Sequence, residues 1–136
     1  MKHVKIFLLL ALATACFAAD PPDVSLRGKL VQDSGKAPIL ESGNKRIVLA
    51  GDEPTLKVLN DGRLAGSDFE VMGHFTNPSE FAVNHIHTRS LFVFQNGRRQ
   101  MVTYWCDVCY IRTYSPGKCW CCQKNTDLDP QDPEPY

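Results

Sequence analysis

The chain has 136 residues, and its 15 lysine and arginine side chains balance its 15 aspartate and glutamate side chains, so the formal net charge is zero. This length suits one domain with a modest hydrophobic core. The balanced charge argues against nucleic acid as a partner, because a nucleic-acid binder needs an excess of basic side chains gathered on one face.

The N-terminal segment, residues 1–18, is predicted to be a secretory signal peptide. Lys2 and Lys5 make its start basic, an apolar stretch follows over residues 6–13, and small residues lead to a cleavage point after Ala18. In an alternative interpretation, Cys16 is the lipid-bearing residue of a bacterial lipoprotein. Both interpretations predict an exported protein, periplasmic or secreted, that is either soluble or anchored through a lipid. No later apolar run reaches the length of a transmembrane helix.

Residues 19–103 follow a mainly β pattern and are predicted to form one domain. Alternation from Val24 predicts a first strand, and the run R-I-V-L-A at 46–50 predicts a short buried strand, whereas residues 35–43 are typical of turns. The acidic cap and first-turn proline of Asp52-Glu53-Pro54 predict the start of a helix of about two turns that stops before Gly62.

The second half of this domain is predicted to contain further strands and a hairpin. Alternation returns over residues 68–75, and Phe81 begins a strand that continues into residues 85–87. Asn96-Gly97 lies between two β-rich runs and predicts a tight hairpin turn in which both residues have positive φ. The phenylalanines of these strands are predicted to lie in the core: Phe69, Phe75, Phe81, Phe92 and Phe94.

Four segments of the β domain resemble the bacterial exported OB-fold domain. They are G-K-L-V (28–31), R-I-V-L-A-G-D (46–52), R-L-A-G (63–66) and F-E-V-M-G-H-F (69–75). The resemblance implies a small OB-like barrel with one short helix that binds a small ligand or a protein partner. The segment 104–123 is also similar to that of small exported bacterial proteins, and this second similarity implies no function.

The segment 104–123 contains five of the six cysteines. Four of them form the pattern C-x2-C-x9-C-x2-C: Cys106, Cys109, Cys119 and Cys122. Two thiolates from one C-x2-C turn can reach the same ion, and a tetrahedral zinc ion binds four such donors. The pattern therefore predicts a structural zinc knuckle, in which Cys121 is spare or a substitute ligand.

Other chemistry remains open for these cysteines. Thiols outside the cytoplasm tend to oxidise, so two disulfides could staple the segment without any metal. Trp105-Cys106-Asp107-Val108-Cys109 resembles the W-C-x-x-C of thioredoxin-like proteins, but the β-like residues 110–114 follow it where that fold has a helix. A thiol–disulfide or copper-handling role in the envelope is the second alternative.

Three histidines form a possible second metal site. His85 and His87 are two residues apart on a predicted strand and would share one face, with His74 on the neighbouring strand as a third donor.

Aromatic side chains crowd the cysteine segment. They are interpreted either as the core of this small segment or as a surface that stacks on a sugar or peptide: Tyr104, Trp105, Tyr110, Tyr114 and Trp120.

The C-terminal residues 124–136 are acidic and rich in proline, which predicts a disordered tail. The chain lacks the sequence motifs of serine hydrolases, zinc proteases, phosphate loops and dinucleotide-binding folds. The sequence therefore predicts an exported, non-catalytic binding protein with a mainly β barrel and a C-terminal zinc knuckle.

Overall fold

The structure is a computed structural model that describes residue 16, residues 18–133 and residue 135. Nearly all of the predicted signal peptide lies outside the described residues. The strands are β1 (Val24–Val31), β2 (Ile39–Ser42), β3 (Lys45–Ala50), β4 (Asp68–Asn77), β5 (Glu80–Val83), β6 (Leu91–Gln95), β7 (Arg98–Met101), β8 (Tyr104–Cys106), β9 (Ile111–Thr113) and β10 (Asp127–Leu128). The helical segments are α1 (Glu53–Leu59), the single turn α2 (His87–Ser90) and a 3-10 turn at Gly62–Leu64.

The first five strands close into a barrel. Their order is β1-β2-β3-β5-β4, and β4 pairs back to β1. All neighbours are antiparallel except β3 and β5, which are parallel. This small closed barrel, with α1 between β3 and β4 and a cysteine cluster near the C-terminus, confirms the predicted fold class.

Helix α1 closes one end of the barrel. It begins where the sequence predicts, because the Asp52 side chain accepts a hydrogen bond from the Thr55 N–H at 3.0 Å and Pro54 occupies the first turn. Val58 and Leu59 are fully buried in the core cluster that fills the barrel. No helix among the described residues is long and apolar enough to cross a membrane.

The predicted hairpin is confirmed, and it extends the barrel sheet. β6 pairs with β4, and β7 pairs with β6. Asn96 and Gly97 have φ values of 51° and 75°, as a two-residue turn between twisted antiparallel strands requires.

Two of the predicted strand boundaries are wrong. Residues 39–42 form β2, although residues 35–43 were predicted as turns, because β1 and β3 pair with both edges of this short segment. β5 ends at Val83 instead of continuing to His87. The Asn84 side chain accepts a hydrogen bond from the Ile86 N–H at 2.8 Å, and this local turn leads the chain into α2.

The predicted disorder of the tail 124–136 is contradicted up to residue 133. β10 pairs with β8, and Gln131 exchanges backbone hydrogen bonds with Met101. Leu128 packs against the barrel core. The amino-acid composition of the tail did not predict that it is ordered. The edges of β7 and β8 offer backbone hydrogen-bond partners, and a polar segment can pair with them as well as an apolar one can.

The phenylalanines divide between core and surface. Phe69, Phe81 and Phe92 are at most 1% exposed, as expected of core residues. Phe75 is 47% exposed, because it lies near the end of β4, where none of the described elements covers the barrel. The prediction that Phe75 is a core residue is therefore wrong.

Candidate metal centre

Three short strands hold the cysteine segment against the barrel. β8 lies between β9 and β10 in a separate sheet, and its first residue, Tyr104, is fully buried in the barrel core. The β8–β9 hairpin carries Cys106 and Cys109 in its turn. A second turn, bracketed by a bridge between Lys118 and Asn125, carries the other cysteines.

The two cysteine turns have the same backbone geometry. In the first turn, Tyr110 has a φ of 55°, and its N–H donates to the Cys106 carbonyl at 2.9 Å. In the second turn, Gln123 has a φ of 63°, and its N–H donates to the Cys119 carbonyl at 2.8 Å. Both are non-glycine residues in the left-handed region, which is uncommon and signals a constrained turn.

These twin turns bring four sulfurs together. The ligand atoms of Cys106, Cys109, Cys119 and Cys122, here called the cysteine cluster, all lie within 4.8 Å of one another. The Sγ atoms of Cys106 and Cys122 are 3.6 Å apart. Sulfurs at about 2.3 Å from a tetrahedral ion would be about 3.8 Å apart, whereas a disulfide bond is about 2.05 Å long. The cysteine cluster could hold a metal ion.

Burial and backbone dipoles distinguish the four thiols. Cys106 and Cys119 are each 1% exposed, and Cys109 and Cys122 are half-buried. The backbone N–H groups of Cys122 and Cys121 lower the pKa of Cys119 to about 7, against the opposing effect of burial. The Cys109 N–H lies 3.4 Å from the Cys106 sulfur. A lowered pKa favours the thiolate form of Cys119, which is the form that a metal ion binds.

Cys121 lies outside the cysteine cluster. Its side chain is exposed, and its sulfur is not one of the four mutually close ligand atoms. The Cys121 thiol still affects the cysteine cluster, because its side chain is the first cause that raises the pKa of Cys109. This position suits the spare thiol of the sequence prediction.

The structure separates the three histidines. His87 is buried, and its Nδ1–H donates to the Tyr114 carbonyl at 2.5 Å, which leaves Nε2 to accept from the Thr55 hydroxyl at 2.9 Å. Both of its ring nitrogens are therefore occupied. His74 and His85 line a different, shallow pocket. Within residues 16, 18–133 and 135, only the cysteine cluster brings three or more potential ligands this close.

The aromatic residues of the segment divide between the core and the surface. Tyr104 is part of the core, and Trp105 is half-buried with its ring centroid 6.1 Å from that of Tyr110. Tyr110 and Trp120 are 76% and 73% exposed, and Tyr114 is 39% exposed. The interpretation of Tyr104 as part of a binding surface is wrong, since its side chain is inaccessible.

An ion-pair network anchors the segment where the barrel is capped. The Tyr104 hydroxyl donates to Asp61 at 2.9 Å, and the Arg63 guanidinium contacts the same carboxylate at 2.8 Å. Burial alone raises the pKa of Asp61, but the hydrogen bonds from Arg63 and Tyr104 outweigh it and hold that pKa below its usual value. The sequence offered no signal for this network, because its members are up to 43 residues apart.

Asp61→Asn is expected to destabilise the protein in a pH-dependent way. The pKa of Asp61 is lower in the folded protein than in the unfolded chain, where it is about 4. The carboxylate therefore stabilises the fold at pH values above the unfolded pKa, and this stabilisation is lost as the pH falls through the folded pKa. We expect Asp61→Asn to lower the free energy of unfolding by about 1–2 kcal/mol at pH 7, and by less as the pH approaches 3. Urea unfolding of both proteins at both pH values measures it. Asp33→Asn, in the exposed pair with Lys36, is the control and should change stability little. A deficit of equal size at both pH values would contradict the assignment.

No known protein family, curated protein or solved structure matches this chain. The assignment of function therefore depends on the site itself.

Proposed function

We propose that this protein is an exported, non-catalytic binding protein in which Cys106, Cys109, Cys119 and Cys122 hold one structural zinc ion. The observation that carries the proposal is the pair of matching turns that bring four sulfurs within 4.8 Å of one another. Two disulfides need no such convergence, because each bridge joins only two sulfurs.

The donor set favours zinc in a structural role. Four thiolates complete a tetrahedral shell, whereas a catalytic zinc site keeps one position for water or substrate. Cys106 and Cys119 are nearly inaccessible to solvent, which protects the site from exchange. The ion would tie the first turn to the second and order the segment between β8 and β10.

The location outside the cytoplasm rests on the sequence. The basic start, apolar stretch and small residues of 1–18 support a cleaved signal peptide, and Cys16 keeps a lipid anchor open. Without residues 1–18, 13 lysine and arginine side chains remain against 15 aspartate and glutamate side chains, and this slight acidic excess supports a small molecule or protein as the partner and not nucleic acid.

A thiol–disulfide or copper-handling role is the second candidate. Cys121 favours it, because an exposed thiol adjacent in the sequence to Cys122 can exchange with a disulfide or accept a soft metal ion. A segment stapled by two disulfides is the remaining alternative, and the 3.6 Å approach of Cys106 to Cys122 is compatible with one such bridge after a small closure.

Mass spectrometry of the protein from its own export compartment, purified without reductant, distinguishes these functions. We expect one zinc ion per chain under native conditions, lost in acid to leave a chain with all thiols reduced. A metal-free chain about four mass units lighter would indicate two disulfides and contradict the zinc site. Copper in place of zinc, or rapid reaction of two thiols with a disulfide reagent in the metal-loaded protein, would favour the second candidate.

A further inference from the structure

In the part of the chain that the structure describes, the barrel is open at the end opposite α1. At the closed end, Val58 and Leu59 of α1 are completely buried. At the open end, a groove of about 410 Å³ is lined by Leu26, Ser42, Lys45, Ile47, Phe75 and Pro78, and we call it the mouth groove. The cysteine segment packs near the closed end, where Arg63 donates to the Thr126 carbonyl, so the mouth groove lies away from the metal centre.

The floor of the mouth groove continues the barrel core. Side chains two residues apart on a strand share a face. Leu26 is thus on the same side of β1 as the buried Leu30, Ile47 on the same side of β3 as Leu49, and Phe75 on the same side of β4 as Val71. These residues point inward, but nothing in the described chain covers Phe75.

Phe75 is a rigid wall of this groove. Its ring packs edge-on against the buried Phe81 ring, with centroids 5.0 Å apart. Such an edge-to-face contact restrains an aromatic side chain while leaving its other face exposed. An exposed, oriented aromatic face at the mouth of a barrel is a common feature of small-ligand sites.

One end of the groove is polar and positively charged. Ser42 and Lys45 are directly paired across the β2–β3 turn. Among the described residues, Lys45 has no salt bridge and the Ser42 side chain has no hydrogen bond. The lining residues include no carboxylate that would neutralise Lys45 or repel an anion.

We propose that the mouth groove binds a small amphipathic carboxylate, with its apolar body against Leu26, Ile47 and Phe75 and its anionic head at Lys45 and Ser42. This inference rests on the proposed binding function and names the ligand class. A charged hydrogen bond to Lys45 at one end and apolar burial along the rest would fix the ligand in one orientation. The volume is in the range of ordinary ligand pockets, which is about 300–1,000 Å³.

Calorimetric titration of the metal-loaded protein with decanoate tests the proposal, with decanol as the uncharged match. We expect saturable binding of decanoate, about tenfold or more tighter than binding of decanol. Lys45→Met should reduce the affinity for decanoate by a similar factor, because it keeps the apolar stem and removes the charge. Lys36→Met, which removes an exposed charge beyond the closed end, should leave the affinity unchanged.

A second pair of variants tests the apolar floor. Phe75→Ser should abolish measurable decanoate binding, whereas Ile86→Ser, which alters a side chain of similar exposure outside the groove, should not. Equal affinity for decanoate and decanol, no effect of Lys45→Met or Phe75→Ser, or no saturable binding would each overturn the inference. The inference would also be overturned if the protein were a dimer that Phe75→Ser converts to a monomer, because a second copy of the chain would then occupy the mouth groove.

Zinc content measured on the same samples separates this inference from the proposed function. A chain with one zinc ion and no decanoate binding overturns the ligand class alone. A chain without zinc that binds decanoate at Lys45 and Phe75 contradicts the zinc site and supports the mouth groove.

Discussion

Cys106→Ser is expected to remove the proposed zinc ion from the cysteine cluster and to unfold the segment between β8 and β10. The Cys106 side chain is 1% exposed, and its sulfur lies 3.6 Å from that of Cys122, so the substitution removes a donor from the enclosed side of the cluster. Loss of an outer-shell partner already weakens metal affinity about 10- to 100-fold, and loss of a ligand should cost more than about 100-fold. Zinc per chain and hydrogen exchange over residues 104–125 measure the two effects.

The matched variants are Cys122→Ser and Cys121→Ser. Cys122 belongs to the cysteine cluster, so its substitution should also release the metal. Cys121 is exposed and outside the cluster, so its substitution should leave one zinc ion bound. Equal loss of metal in all three variants would show that Cys121 is a ligand.

Gly28→Ala is expected to prevent the barrel from closing. A Cβ atom on Gly28 would lie 2.1 Å from the Glu41 carbonyl oxygen and 2.7 Å from its carbon, both backbone atoms of β2. β1 at this point also pairs with β4 through the register of Gly28 with Phe69, so the strand cannot move away from β2 without breaking that pairing. We expect a loss of at least about 3 kcal/mol in the free energy of unfolding, measured by denaturant titration.

Gly62→Ala is the control for this substitution. A Cβ atom there meets no heavy atom within 4 Å, and Gly62 lies in the 3-10 turn after α1, where an alanine is compatible with the backbone. This variant should be as stable as the wild type or slightly more stable. A similar loss of stability in both variants would indicate that Gly28 matters for a reason other than its close approach to β2.

The features that could be predicted from the sequence are those set by near neighbours along the chain. The Asp52 cap and the Asn96-Gly97 turn depend on contacts within a few residues, and both occur where predicted. The spacing of Cys106 and Cys109 places two thiols in one turn for the same reason. The alternation of apolar residues along the strands is also a local pattern, and the mainly β fold class is confirmed.

The features that could not be predicted depend on partners distant in the sequence. The tail up to residue 133 is ordered by the free edges of β7 and β8, and His87 is buried between Thr55 and the Tyr114 carbonyl. Neither composition nor periodicity predicts such partners, since both are properties of a short stretch of sequence and carry no information on residues far along the chain.

For this protein, the sequence alone determined the Asn96-Gly97 hairpin turn, the start of α1 and the set of thiols available for a metal ion. Only the tertiary structure decided that four of the five clustered cysteines converge while Cys121 stays exposed. It likewise decided that Tyr104 is buried and Phe75 is exposed, although both are aromatic residues on β-strands. The physical reason is that α1 covers one end of the barrel and no described element covers the other.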